Sequence, residues 1–204
     1  MNSLVCKTVG HSNRKTEELV ALLKAHGVTC VIDVRSQPYS RFNPQFNRET
    51  LKTDLAINEI NYIYLGDRLG ARYDEPDLLF PDGTVDFSKV RTREQFQQGI
   101  TQVIDLVSGG TDACIMCAEK EPFDCHRFVL VSRELGSCGV RIEHILTADS
   151  IADQSELEDR LIKKYKLDNP QVSLFEPPRS RAERRAEAYQ RRNHEIGYRR
   201  NESK

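Results

Sequence analysis

Two short runs, "TCVIDVRS" around Val31 and "DACIMCAEK" around Ile115, are apolar at almost every position and then end in charge. A strand with one wet face alternates. A run without alternation belongs to a strand covered on both faces, as in a parallel sheet. Three further segments carry strand character: Leu4–Val9, "NYIYLGDRLG" and "VRIEHIL". Between them lie helical patterns. Leu19, Leu22, Leu23 and His26 recur at helical spacing and Gly27 closes the segment. "FNRETLKTDLAINEI" is read as capped near Asn47, and "DCHRFVLVSRELGSCG" as capped by Asp124, while Ser12 or Asn13 is the expected cap of the first helix. "TREQFQQGITQVIDLVSGG" and "SELEDRLIKKYKL" complete the set.

Strands alternating with helices predict an α/β fold: a mostly parallel sheet of about five strands with helices on both faces, a Rossmann-like three-layer sandwich with right-handed crossovers. The 204 residues divide into an α/β domain over 1–167, a linker over 168–178, and a basic, helix-prone tail over 179–204. There is no long apolar run and no signal-peptide pattern, and six cysteines lack disulfide-like spacing. A cytoplasmic protein with reduced thiols and no membrane association is expected.

In open α/β sheets, ligands bind beyond the carboxyl ends of the strands. His11 and Ser12 follow the first strand, Asp33, Arg35 and Ser36 the second, Arg72 the loop after the third, and Cys117 and Glu119 the fourth. Cys125, His126 and Arg127 open the next helix, and the fifth strand carries His144. His11 or Asp33 suits a general base, with Arg35 and Arg127 as phosphate holders. Asp33 with Arg35 also suits a structural ion pair. "CAEKEPFDCHR" admits three uses, taken in this order: an anion pocket at a helix start, thiolate chemistry at Cys125, and metal binding by Cys117, Cys125 and His126. Its spacing is not that of a zinc finger, so no metal is assigned and no cofactor is identified. "SQPYSRFNPQFN" sets Tyr39, Phe42 and Phe46 among Arg41, Asn43 and Asn47. That pattern fits stacking on unpaired bases or a loop packed over its own core.

The blocks "TVGHSN", "VIDVRSQPYSRFNPQFN", "YLGDRLGAR", "CAEKEPFDCHR" and "RIEHIL" resemble, in order, those of the domain of unknown function 488 family, over roughly Thr8 to Leu146. The resemblance implies an α/β domain with a polar site and names no reaction. Asp67 stands where relatives carry a plainer glycine turn.

"QVSLF" resembles the pentapeptide by which bacterial replication and repair proteins bind the sliding clamp: Gln171 for an orienting hydrogen bond, Ser173 at the third position, Leu174 and Phe175 as apolar anchors. The tail from Arg179 carries +5, leaving −6 on the rest. Such asymmetry points to nucleic acid or to a solvated mixed-charge helix. With almost no apolar stripe, the tail is expected to stay off the core and to form its helix on DNA. Together these features predict a DNA-processing or repair enzyme, hydrolytic on a nucleotide, base or phosphoester, with DNA and the sliding clamp as partners. The alternatives are a non-catalytic nucleotide- or nucleic-acid-binding adaptor and a thiol- or metal-dependent enzyme using Cys117 and Cys125.

Overall fold

The structure is a computed structural model that describes residues 3–168 and 179–199. Six strands form one sheet in the order β3-β2-β4-β1-β5-β6. They are β1 (Val5–Gly10), β2 (Cys30–Asp33), β3 (Asn61–Tyr64), β4 (Ala113–Cys117), β5 (Arg141–Thr147) and β6 (Ser150–Asp153). The first five run parallel, and β6 returns antiparallel along β5. This sixth strand escapes a sequence reading because Ser150 and Ile151 are exposed at the sheet edge, so it carries no buried run.

Side chains alternate between two apolar layers. Val31, Cys114 and Met116 meet α1 (Thr16–Ala25) and α2 (Arg48–Ile57) on one face. Cys30, Ile32 and Ile115 meet the other layer. That layer comprises the single turns α3 (Gly66–Leu69) and α4 (Phe87–Val90), then α5 (Glu94–Ser108), α6 (Arg133–Ser137), α7 (Gln154–Lys164) and α8 (Arg181–Ile196). β4 is therefore apolar at every position, and β2 at every position before Asp33, because both faces are covered.

Of the three expected caps, Asn47 alone stands at the N-cap of its helix. The first helix starts at Thr16, where the Lys15 N–H donates to Glu18, so neither Ser12 nor Asn13 caps it. Asn47 does precede α2, but its side chain accepts from the Ser40 N–H and so ties down the preceding loop. Asp124 caps nothing. The Arg127 N–H meets the Cys125 sulfur at 3.5 Å, where a π-type helical segment, Arg127–Ser132, begins and runs into α6.

The tail also departs from expectation. Helix α8 lies on the domain with Ala188 and Tyr189 buried. Two apolar residues suffice because polar groups complete the seam. Tyr189 donates to Glu158 at 2.8 Å and accepts from Gln154 at 2.7 Å, and the Asn193 amide bridges the Phe87 N–H and the Val85 carbonyl. Arg181 pairs with Asp159, Arg185 with Glu158, and Arg192 with Asp124 and Glu195. Part of the charge that suggested an external anion is thus matched by the domain's own Asp159, Glu158 and Asp124. Among the described residues, no helix is long and apolar enough to cross a membrane.

His144 sits within β5, in register with Thr8, and not at the rim. It is fully buried. Its Nδ1 accepts from the Thr8 hydroxyl at 2.8 Å, and its Nε2–H donates to Gln154 at 2.7 Å. Burial lowers its pKa from 6.5 to about 4. Below pH 6.5 the unfolded chain therefore binds a proton that the folded chain refuses, so this contribution is present above pH 6.5 and is lost towards pH 4. Urea unfolding should show wild type losing about 2 to 3 kcal/mol from this group between pH 6.5 and 4.5. His144→Gln should show a correspondingly shallower fall, and an unchanged slope would refute this origin.

Candidate functional site

Parallel register ends the central strands at one level: Gly10 lies beside Cys117, and Asp33 beside both Met116 and Tyr64. The loops continue the ladder, with the His11 N–H on the Cys117 carbonyl, the Ser12 N–H on Ala118 and the Leu65 N–H on Asp33. Such close contact requires glycine. A Cβ on Gly10 would stand 1.8 Å from the Glu119 carbonyl oxygen, and one on Gly66 would stand 2.0 Å from that of Arg35.

Asp33 and Arg35 form a closed ion pair. One carboxylate oxygen accepts from the Arg35 backbone N–H (3.0 Å) and Nε (2.9 Å); the other accepts from Nη2 (2.6 Å) and the Tyr62 hydroxyl (2.6 Å). Arg35 Nη1 donates to His11 Nε2 at 3.1 Å, and His11 Nδ1–H donates to the Ser12 carbonyl at 2.7 Å. Burial, then the Arg35 charge, brings His11 down to about 4, with its ring 4.2 Å from that of Phe46. Four donors fill the carboxylate and two partners fill the imidazole, so neither holds a free lone pair for proton abstraction. Their position at the rim agrees with the sequence reading; the bonding gives them a bracing part.

The second constellation is Cys117, Glu119, Cys125 and His126. Each thiol lies about 3 Å from Glu119 Oε2: Cys117 at 3.1 Å and Cys125 at 3.0 Å. His126 Nδ1 is 3.5 Å from the Cys117 sulfur and 3.9 Å from that of Cys125. His126 Nε2–H donates to the Val34 carbonyl at 3.1 Å, which turns Nδ1 to face both sulfurs. Ligand atoms of Cys117, Cys125 and His126 all fall within 4.8 Å of one another. Burial alone would raise the Cys125 thiol. The Cys117 hydrogen bond, the Arg127 charge and His126 outweigh it and hold Cys125 well below the usual thiol range, with Cys117 well above. Burial would likewise lower His126, but its bond to Cys125 and that sulfur's charge raise it. Desolvation, then Cys125, raises Glu119.

Cys117, Glu119 and His126 open into a cleft of about 250 Å³ that Arg35, Ser36, Gln37, Arg72 and Asp124 also line. Ser36 Oγ accepts from the Ala71 and Arg72 N–H groups, so it ties two loops together. Tyr39 stands out in solvent, and Ser12 turns to Asn13 in a left-handed backbone at φ 55°. Arg127 does not reach the cleft. It is fully buried and donates to the Glu119 and Lys120 carbonyls, so its expected phosphate-holding place is not realised. Gln171, Ser173, Leu174 and Phe175 lie outside the described residues. Tyr62, the Val34 carbonyl and two tail residues in the cleft wall, Ile196 and Tyr198, were not foreseen. Two larger cavities, about 540 and 900 Å³, run along α8 and contain none of these thiols.

A family model described as "Domain of unknown function DUF488" matches residues 15–133, a span that takes in the rim from Asp33 to Arg127 but stops short of "TVGHSN" and "RIEHIL". No curated protein and no solved structure matches the chain.

Removing the carboxylate leaves Arg35 buried without its partner. Asp33→Ala should lower unfolding stability by about 3 to 5 kcal/mol in denaturant titration. A loss under about 1 kcal/mol would show that the pair does not brace the rim.

Proposed function

The chain belongs to the DUF488 family, and on that footing we propose that it is a metal-dependent hydrolytic enzyme acting on a nucleotide or base of DNA, in the cytoplasm, and recruited by the sliding clamp. The observation that carries the chemistry is the convergence of Cys117, Cys125 and His126 on one point beside Glu119. In a tetrahedral zinc site, with Zn–S about 2.3 Å and Zn–N about 2.0 to 2.1 Å, neighbouring sulfur and nitrogen ligands lie about 3.5 Å apart. The separations of 3.5 and 3.9 Å fit that spacing. The Val34 carbonyl supplies the outer hydrogen bond that fixes a ligating imidazole. Buried Arg127, held by carbonyls alone, supplies positive charge that favours thiolates.

A metal held by Cys117, Cys125 and His126 would supply a Lewis acid able to activate water beside the cleft. Glu119, on the solvent side and within reach of both sulfurs, is placed to hold or move a proton there. One imidazole, two thiolates and a non-ligating glutamate form a set that suits hydrolytic attack on a nucleobase. This reading moves metal ahead of the anion pocket because Arg127 is spent elsewhere, and ahead of His11 or Asp33 as base because their lone pairs are filled. Arg72, exposed at the cleft, takes the anion-holding part.

Protein purified without chelator should carry about one zinc-type ion per chain by elemental analysis. Cys125→Ser and His126→Ala should each remove it, together with turnover on DNA screened for base conversion, base release and strand cleavage. Full turnover by metal-free protein would sink the metal reading, and metal and binding without turnover would favour an adaptor.

Clamp recruitment rests on Gln171–Phe175. The described chain on either side is anchored, since Arg184 donates to the Leu167 and Asp168 carbonyls. Purified clamp should bind wild type, and the Leu174→Ala, Phe175→Ala variant should bind at least tenfold more weakly. Equal binding would remove the clamp from the account.

A further inference from the structure

Four large apolar side chains stand out as exposed among the described residues, and two of them, Tyr39 at 76% and Phe42 at 79%, share one loop. That loop is not loose. The Arg48 N–H donates to the Pro38 carbonyl at 2.9 Å, and the Ser40 N–H to Asn47 at 2.7 Å. Ser40 Oγ accepts from the N–H groups of Phe42 and Asn43, and Gln45 donates to the Arg14 carbonyl. Phe46 turns inward against His11 and roots the segment in the core. The same loop therefore buries one ring and holds two others in water, a cost that packing does not explain.

Charge identifies what suits those rings. Residues 35–48 contain no carboxylate, and of their arginines Arg35 is held by Asp33 and Arg48 pairs with Glu49, while Arg41 has no carboxylate partner among the described ion pairs. The Arg41 guanidinium lies 4.7 Å from the centre of the Phe42 ring. Exposed aromatic faces among arginines match a ligand with π faces and a phosphate backbone, which is an unpaired nucleic-acid strand. A duplex hides its base faces. The loop also leads to the cleft: Gln37 lines it, Tyr39 is two residues on and so within about 7 Å of chain. Arg72, which donates to Gln37 at 2.7 Å and lies 5.1 Å from the Tyr198 ring centre, continues the basic path along the cleft wall.

We propose that the 36–48 loop is a single-stranded DNA platform, on which bases stack against Tyr39 and Phe42 while Arg41 and Arg72 meet phosphates, delivering one base to the cleft lined by Cys117, Glu119 and His126. The choice of DNA over RNA rests on the proposed function above; the stacking surface does not. A base must leave its pair before a small, partly buried centre can reach it, and a platform for the neighbouring bases holds the strand in that state.

The test is fluorescence anisotropy on the full chain with a labelled single-stranded DNA oligonucleotide, the matching duplex and the matching RNA strand. Wild type should bind the single strand at least tenfold more tightly than the duplex and at least as tightly as the RNA. Tyr39→Ala with Phe42→Ala should weaken binding about tenfold or more, with thermal unfolding unchanged because both side chains are exposed. Arg41→Ala should lower the slope of log affinity against log salt by about one. Equal duplex binding or full affinity in the double aromatic variant would overturn the platform, and tighter RNA binding would overturn its assignment to DNA. Cys125→Ser separates the two readings. If it binds oligonucleotide normally while wild type proves metal-free and inactive, the catalytic centre fails and the platform stands.

Discussion

Parallel pairing of Gly10 with Cys117, and of Asp33 with both Met116 and Tyr64, ends the central strands at one level, and the candidate site sits on that level. Backbone bonding continues past the strand ends, so the first loops are positioned by the sheet itself. Gly10 lets the Glu119 backbone close over β1. The Asp33–Arg35 pair, with Tyr62 and His11, then fills the rim beneath the cleft with satisfied polar groups. A cluster of thiols, imidazole and carboxylate can keep its geometry only on a frame of this kind.

The tail shows how internal charge can imitate a partner. Its +5 against −6 elsewhere is resolved largely within the chain, through pairs such as Arg181 with Asp159 and Arg185 with Glu158. Arg192, nearly buried, clasps Asp124 and the Phe123 carbonyl, one residue from Cys125. Helix α8 thereby braces the loop that carries a candidate ligand, and Tyr198 beyond it forms part of the cleft wall. In the reading proposed above, nucleic-acid recognition falls not to the tail, whose described arginines are largely matched, but to the 36–48 loop, where Arg41 faces no carboxylate partner among the described ion pairs.

Much of the fold was legible because burial on both faces leaves a plain mark: "CVID" and "ACIM" have no other use. Strand β6 was not, since an exposed edge needs no apolar run. The rim residues were legible from topology, which places strand ends together without contact data. Their roles were not. A sequence presents Asp33, His11 and Arg127 as available groups, while only coordinates show which lone pairs and donors are taken. Cys117 and Cys125 lie eight positions apart, outside any familiar ligand spacing, because the Pro122–Asp124 turn folds the loop back on itself. Tail docking was hidden for a related reason. Two buried residues make too short an apolar stripe to notice, and Tyr189 earns its place through Gln154 and Glu158, far away in the chain.

The proposed chemistry depends on a metal held by Cys117, Cys125 and His126. An X-ray absorption spectrum at the metal edge of the purified protein would report its ligands. Two sulfur ligands at about 2.3 Å and nitrogen or oxygen ligands at about 2.0 to 2.1 Å are expected, with the sulfur shell depleted in Cys125→Ser. A shell of oxygen and nitrogen alone, or no metal edge above background, would contradict it.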